Sequence, residues 1–375
     1  MNLAEIMVFT DIRQLNQIAR HYSLSCDPHS KNELITTLLM NVKQRGTIQQ
    51  EVSSLSTDEV HFLLLLFLDK RNQYSLEDLL AKAGVALYQT GAERKDEMRK
   101  VITSALKRGW IFPAKGNVQG QFQVPVDLRE PYVQAWLDMW KKQENRVATD
   151  RRDIPAYRDE GSAMCDDMYQ LLRFLESEPV PLTAEGGMYK RYQLQLLKFM
   201  SVPEEPLSPQ KWRFGYGLHF DLYPDRFSLL YDYCYYQRWL RESDGHVEVT
   251  ERGLEQLMKP FQEHTHYDLI RFWLRLYKRA IPNLPMLVQL IPFMSKGEWI
   301  AQEDLQYTLL PWLKSFYYDD SQNILTNRIL KMMVHLGLLK VGEYGSSDWV
   351  YASTNACHTW LKQYNGFTES TILLK

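Results

Sequence analysis

One order of elements recurs three times along this chain of 375 residues, and it limits the folds open to it. An apolar helix is followed by a short polar turn, a second helix, a longer amphipathic helix and a glycine-bearing hairpin. The first instance spans Ser56 to Glu130. Ser56-Thr57-Asp58-Glu59 supplies an N-cap with acids in the first turn, where the helix dipole favours them. Val60 to Leu68 is apolar nearly all round, which predicts a buried helix. Tyr74 to Leu80 reads as a short strand entering a capped second helix. The third helix is predicted over Glu93 to Arg108. There Met98, Val101, Ile102, Ala105 and Leu106 fall at i, i+3, i+4, i+7 and i+8, a single apolar stripe. Gly109 ends it. Trp110-Ile111-Phe112, the turn Lys115-Gly116-Asn117 and Phe122-Gln123-Val124 then alternate as a hairpin.

The second instance is looser. It runs through a helix at Met168 to Leu175, a strand at Val180 to Thr183, and helices at Tyr189 to Met200 and Phe227 to Leu240. A hairpin around Gly245 to Thr250 closes it. An insertion between Pro203 and Asp225 is rich in Pro, Trp, Phe and Tyr and has no clear period. The third instance has helices at Pro285 to Met294 and Gln302 to Ser315, with a strand at Trp299-Ile300 between them. Leu325, Ile329, Met332, Met333 and Leu336 mark its third helix, which ends at Gly337. Leu338 to Val341 and Trp349 to Ala352 then flank a turn at Gly345-Ser346-Ser347. In each instance the third helix stops just before a strand.

This order is the outline of a winged helix, in which a β-hairpin follows the third helix. The expected fold is therefore mostly α with small β-hairpins, as a tandem array of winged-helix domains. The expected divisions are an N-terminal helical piece (1–50), winged helix one (56–130), a helix and linker (131–164), winged helix two with its aromatic insertion (165–258) and winged helix three (259–375). Lys142 to Gly161 is polar and charged and reads as a connection. In the N-terminal piece, Asp11 to Ala19 makes one helix. Ser30 opens another, with Glu33 at the spacing of a capping box.

Composition excludes several classes. Apolar residues at 45% rule out a largely disordered chain. A net charge of -2 excludes coating of nucleic acid by charge alone, so any such contact is local. The longest apolar run, Phe62 to Leu68, is too short for a membrane span. Cys26, Cys165, Cys234 and Cys357 are widely spaced, which points to free thiols in a reducing cytoplasm and away from a zinc knuckle. No phosphate loop, GxGxxG, HExxH, GxSxG or CxxC occurs. His264 and His266 point to different helix faces. Asp166-Asp167 and Asp319-Asp320 lie near helix ends, where acids cap. No cofactor, metal or catalytic residue is expected.

The cations carry more information. Arg94, Lys95, Arg99, Lys100 and Lys107 lie mainly off the apolar stripe of the first third helix, and Lys115 sits at the tip of its hairpin. In winged helices that helix enters the major groove and the wing reaches the backbone, so cations there would neutralise phosphates without reading sequence. A solvated mixed-charge face, diluted by Glu93, Asp96 and Glu97, fits the same residues. Lys190 and Arg191 in the second instance, and Asn327, Arg328 and Lys331 in the third, are further candidates for nucleic-acid contact. Glu248 and Glu251, and Glu343 and Asp348, make the second and third hairpins acidic, which suits protein contacts better.

Leu15, Ile18-Ala19, Tyr22-Ser23-Leu24 and Ser30 to Leu39 resemble the helix, extended turn and helix of SAP-like modules, which often bind DNA. Ser30-Lys31-Asn32-Glu33-Leu34, the run Pro181-Leu182-Thr183-Ala184-Glu185-Gly186-Gly187-Met188-Tyr189-Lys190-Arg191, and Val249-Thr250-Glu251-Arg252-Gly253 together resemble a bacterial family of helicase-associated proteins. That family is similar to the N-terminal region of XPB-type helicases. The resemblance implies an accessory role in DNA repair. The chain lacks any nucleotide-binding motor motif, so it would accompany a motor encoded elsewhere. The expected function is a non-enzymatic, DNA-associated adaptor for a helicase or nuclease, touching duplex DNA through the first instance. A pure protein-interaction scaffold, or a transcription regulator without a helicase partner, also fits. So does an enzyme with its site near Trp212 to Tyr223.

Overall fold

A computed structural model describes residues 1–87, 95–114, 120–142, 154, 156–208, 213–259, 263–296, 298–344, 348–364 and 372. The chain is mostly helical with small antiparallel sheets. It divides into two compact units: unit 1, Met1–Val147, and unit 2, Ala148–Tyr364, to which Ile372 also belongs. No helix among the described residues is long and apolar enough to cross a membrane.

Unit 1 begins with four helices, α1 (Leu3–Phe9), α2 (Ile12–His21), α3 (Lys31–Val42) and α4 (Arg45–Ser53). They are followed by α5 (Thr57–Phe67), β1 (Gln73–Ser75), α6 (Leu76–Ala86), α7 (Lys95–Lys107), β2 (Phe112–Pro113), β3 (Gln121–Gln123) and α8 (Val126–Lys141). The sheet order is β1-β3-β2, with Tyr74 opposite Phe122 and Phe112 opposite Gln123. Ser56 and Glu59 form a full capping box on α5, and Ser75 and Asp78 form one on α6. The Ser30 box is only half made. Ser30 accepts from the Glu33 amide, but the Glu33 carboxylate turns to the Asp27 amide at 3.1 Å. The first 50 residues, expected to stand apart, are built into this unit. α2 lies against α7 and α4 against α8. Gln14 donates to the Leu106 carbonyl at 2.7 Å, and Tyr22 donates to that of Arg108 at 3.0 Å.

Unit 2 opens with β4 (Tyr157–Arg158), α9 (Ala163–Ser177), β5 (Val180–Pro181), α10 (Lys190–Phe199), α11 (Asp225–Tyr236), β6 (Leu240–Ser243), β7 (His246–Val249) and α12 (Glu251–Leu257). It continues with α13 (Glu263–Tyr277), α14 (Leu284–Met294), β8 (Ile300–Ala301), α15 (Gln302–Leu309) and a 3-10 turn at Leu310–Trp312. α16 (Ser321–Asn323) runs through a π-helical stretch, Ile324–Leu330, into α17 (Lys331–His335). β9 (Leu339–Tyr344), β10 (Asp348–Ser353) and α18 (Asn355–Gln363) complete it. The sheets are β5-β7-β6 and β4-β9-β10-β8. α15 is shorter than predicted because Pro311 forces the chain into the 3-10 turn.

The sequence between Lys142 and Gly161 was expected to be a linker. Its described part is structural. Tyr157 and Arg158 add a strand to β9, opposite Gly342 and Val341, and Glu160 is buried. The expected turns Lys115-Gly116-Asn117 and Gly345-Ser346-Ser347 lie outside the described residues.

The three third helices end alike. Gly109, Arg238 and Gly337 adopt φ of +70°, +59° and +65°. The next amide reaches back five residues each time: Trp110 to Ala105 at 2.9 Å, Trp239 to Cys234 at 3.0 Å and Leu338 to Met333 at 2.8 Å. This is a Schellman ending, which glycine favours because it carries no Cβ. Arg238 takes the strained position, so the second helix stops at Tyr236 and Leu240 already belongs to a strand. Thr250 and Thr354 then cap the helix after the sheet and donate to the carbonyls of Arg238 and Gly337 at 2.7 and 2.6 Å.

Candidate nucleic-acid interface

The α7 face in unit 1 is held at its C-terminal end. Ile102 and Ala105 are buried, and Arg108 lies between Glu51 and Glu59, with its Glu59 bond at 3.0 Å. Burial opposes both carboxylates. His21 and Arg108 at Glu51, and the Ser56 amide, Arg108 and Ser104 at Glu59, hold them below their usual range all the same. From this base Lys95, Arg99, Lys100 and Lys107 project as exposed cations. Arg99 meets Asp96 at 3.9 Å and Lys100 meets Glu97 at 3.5 Å, within one helical turn. Such exposed pairs contribute little, roughly 0–1 kcal/mol, so an incoming phosphate can displace them. Arg94 and Lys115 lie outside the described residues.

In unit 2, Lys190 and Arg191 are exposed on the first turn of α10, and the Arg191 guanidinium lies 4.6 Å from the Tyr192 ring centroid. The Leu182 to Met188 segment is a tight turn that delivers them: Leu182 pairs with Met188, and the Thr183 amide donates to Gly187 at 2.7 Å. Glu248 is paired with Arg241 at 2.6 Å, and Glu251 opens α12 instead of lying in the hairpin.

The third helices of unit 2 are unlike α7. Every residue of α11 from Arg226 to Cys234 is buried. Arg328, expected as a surface contact, is 6% exposed. It donates to Asp319 at 2.9 Å and to the Phe214 carbonyl at 2.6 Å, and meets Asp225 at 3.3 Å. Lys331 is half-buried and meets Asp225 at 2.9 Å, while Asn327 bonds Asn323. Arg328 is therefore an internal cation. Asn327 and Lys331 instead line a groove of about 590 Å³ with Arg158, Trp349, Tyr351 and Gln302.

Sequence patterns do not show the buried charge of unit 2. Asp167, expected as a cap, is fully buried and meets Arg226 at 2.5 Å. Arg226 lies 3.5 Å from Glu160, which also holds His335 at 2.9 Å. Asp320 does cap, accepting from the Asn323 amide at 2.7 Å. In the aromatic insertion, His219 is 4% exposed. Its Nδ1 meets Asp232 at 2.6 Å and its Nε2 meets Glu242 at 3.0 Å. Burial opposes its charge, yet the two carboxylates push its pKa up to about 9. Both ring nitrogens are engaged, so this histidine offers no lone pair to a substrate. His266 bonds the Leu336 carbonyl at 2.7 Å. No group of three or more metal-ligating side chains occurs among the described residues.

Compared with models of protein families, with curated proteins and with solved structures, the chain matches none.

Proposed function

We propose that the chain is a non-enzymatic, DNA-associated adaptor made of three winged-helix units, with α7 as its duplex-contacting helix. The repeat supports this reading. Three times a helix, strand, helix and helix lead into two strands, and the first strand pairs with the last, as β1-β3-β2, β5-β7-β6 and β8-β10-β9. The observation that carries the functional part is the difference between the third helices. Of the three third helices, α7 alone presents a row of exposed cations among the described residues, whereas α11 and the Arg328 segment are packed inside unit 2. Unit 2 then serves as the scaffold, and its acidic hairpin residues suit a protein partner. A helicase or nuclease as that partner rests on the resemblance of the Pro181 to Arg191 run and its companions.

The test is fluorescence anisotropy with a labelled duplex across a salt series. With four cations engaged, log K against log salt is expected to have a slope of about -3 to -4. Changing Lys95, Arg99, Lys100 and Lys107 together to Ala should flatten that slope and weaken all sequences alike, since phosphate contacts carry no base information. Folding should be spared, because each surface change is worth within about 0.5 kcal/mol. Absence of binding at low salt, or binding unchanged in the fourfold variant, would favour the pure scaffold.

A further inference from the structure

Two tyrosines of unit 2 form an exposed turn, and one of them, Tyr317, stands where the backbone disfavours it. The Phe316 amide donates to the Asp319 carbonyl at 2.9 Å and the Asp319 amide returns the bond at 3.0 Å, so Tyr317 and Tyr318 form a two-residue hairpin tip. Tyr317 has φ +51°. Tight turns of this kind give such positions to Asn or Gly, and a bulky residue there is an outlier. Both rings are also about three-quarters exposed, at 74% and 73%. The foot of the hairpin is firmly seated. Asp319 is 3% exposed and held by Arg328, and the Phe316 ring packs 5.8 Å from that of Tyr216. Strain kept at an exposed tip by a buried support is the pattern of a binding element.

Beneath the tip lies a pocket of about 320 Å³. Phe214, Tyr216, Phe316 and Tyr317 wall it, and Arg279 also lines it. The rings meet mainly edge to face, with Phe316 and Tyr317 centroids 4.7 Å apart. Arg279 is exposed and carries no ion pair among the described residues. The neighbouring acids are committed, Asp319 to Arg328, and Asp225 to Lys331 and Arg213. An apolar side chain would fill the pocket but leave Arg279 unused. A quaternary ammonium would suit the rings but be repelled by Arg279. A flat aromatic group joined to an anion satisfies both, and that is a nucleobase with its phosphate. Such a base must be unpaired to enter.

We infer that this pocket and hairpin bind single-stranded nucleic acid, with one base against Tyr317 and its phosphate at Arg279. The site belongs to unit 2 and does not depend on the duplex contact proposed for α7.

The experiment uses the full chain with fluorescein-labelled 15-nucleotide oligo-dT and oligo-U, and the ratio of the two affinities assigns DNA or RNA. Tyr317→Gly removes the ring and suits a left-handed backbone, so the melting temperature should hold or rise. Affinity should fall roughly 5- to 100-fold, the range for loss of one base stack. Arg279→Gln should reduce the salt slope by about 0.7. The fourfold α7 variant should bind the oligonucleotides as the native chain does. No binding at low salt, or undiminished binding by Tyr317→Gly, would overturn the inference.

Discussion

Replacing Arg226 by Met is expected to destabilise unit 2 by about 3–5 kcal/mol, the usual consequence of removing one partner from a buried ion pair. Arg226 sits in the first turn of α11, 1% exposed, between Asp167 of α9 and Glu160. Methionine fills a similar volume, so the loss is one of charge. Among the described residues Asp167 retains only the Ser201 amide, at 2.6 Å, and Glu160 retains His335 and Arg158. Burial alone would raise the Glu160 pKa, but His335, Arg226 and Arg158 hold it below its usual range. Without Arg226 it should take up a proton more readily, so the deficit should narrow in acid. Hydrogen exchange read by mass spectrometry localises the effect. Amides of α9, α11 and α17 should lose protection by roughly 150- to 5,000-fold, the equivalent of that free energy. Adding Asp167→Asn and Glu160→Gln should recover much of the loss, because neither buried carboxylate is then left without a counter-charge, and Arg158, released from Glu160, is exposed to solvent. A loss of protection under tenfold would mean that the web does not hold the unit together.

The parts of this fold legible in the sequence are those set by local physics. The Met98 to Leu106 stripe, the Ser56 cap and the Gly109 and Gly337 endings each depend on residues a few positions apart, and each is found. Arg238 hides the same ending, because nothing about arginine announces a left-handed backbone. The strand at Tyr157-Arg158 has two residues and no period of its own, and β9 alone defines it. Arg328 looked like a surface cation because two of its three partners, the Phe214 carbonyl and Asp225, are 114 and 103 residues away in sequence. Glu160 and His335 are separated by 175 residues. The apolar spacing of Leu325, Ile329 and Met332 predicts a helix but cannot distinguish a π-helical stretch from an α-helical one. Of the candidate interface, the α7 cations could be placed from periodicity. The aromatic pocket could not, since its walls come from residues 214–216 and 316–317 and its cation from the turn after α13.

Unit 2 should also lose stability in alkali through His219. In the folded chain His219 faces Asp232 of α11 through Nδ1 and Glu242 of β6 through Nε2, and Tyr231 donates to the same Glu242 at 2.7 Å. Burial lowers the pKa of an imidazole, yet hydrogen bonds to the two carboxylates raise this one from 6.5 to about 9. A group whose pKa rises on folding binds its proton more tightly in the native state. Its contribution is therefore complete below about pH 6.5 and disappears as the pH passes about 9. Between pH 7 and 10 the loss should be about 2–3 kcal/mol, the integral of a shift of this size. Burial pushes the Asp232 carboxyl up, and His219 and Tyr231 hold Glu242 down against its own burial. Alkali also acts on other groups of the chain, so the useful quantity is a difference. His219→Gln preserves polar contact and cannot titrate. Urea unfolding of the native chain and this variant, measured at pH 7 and at pH 10, should show a gap at pH 7 that shrinks to less than half at pH 10. A gap equal at both pH values would mean that His219 is held as a neutral ring and that the carboxylates around it carry no proton-linked stability.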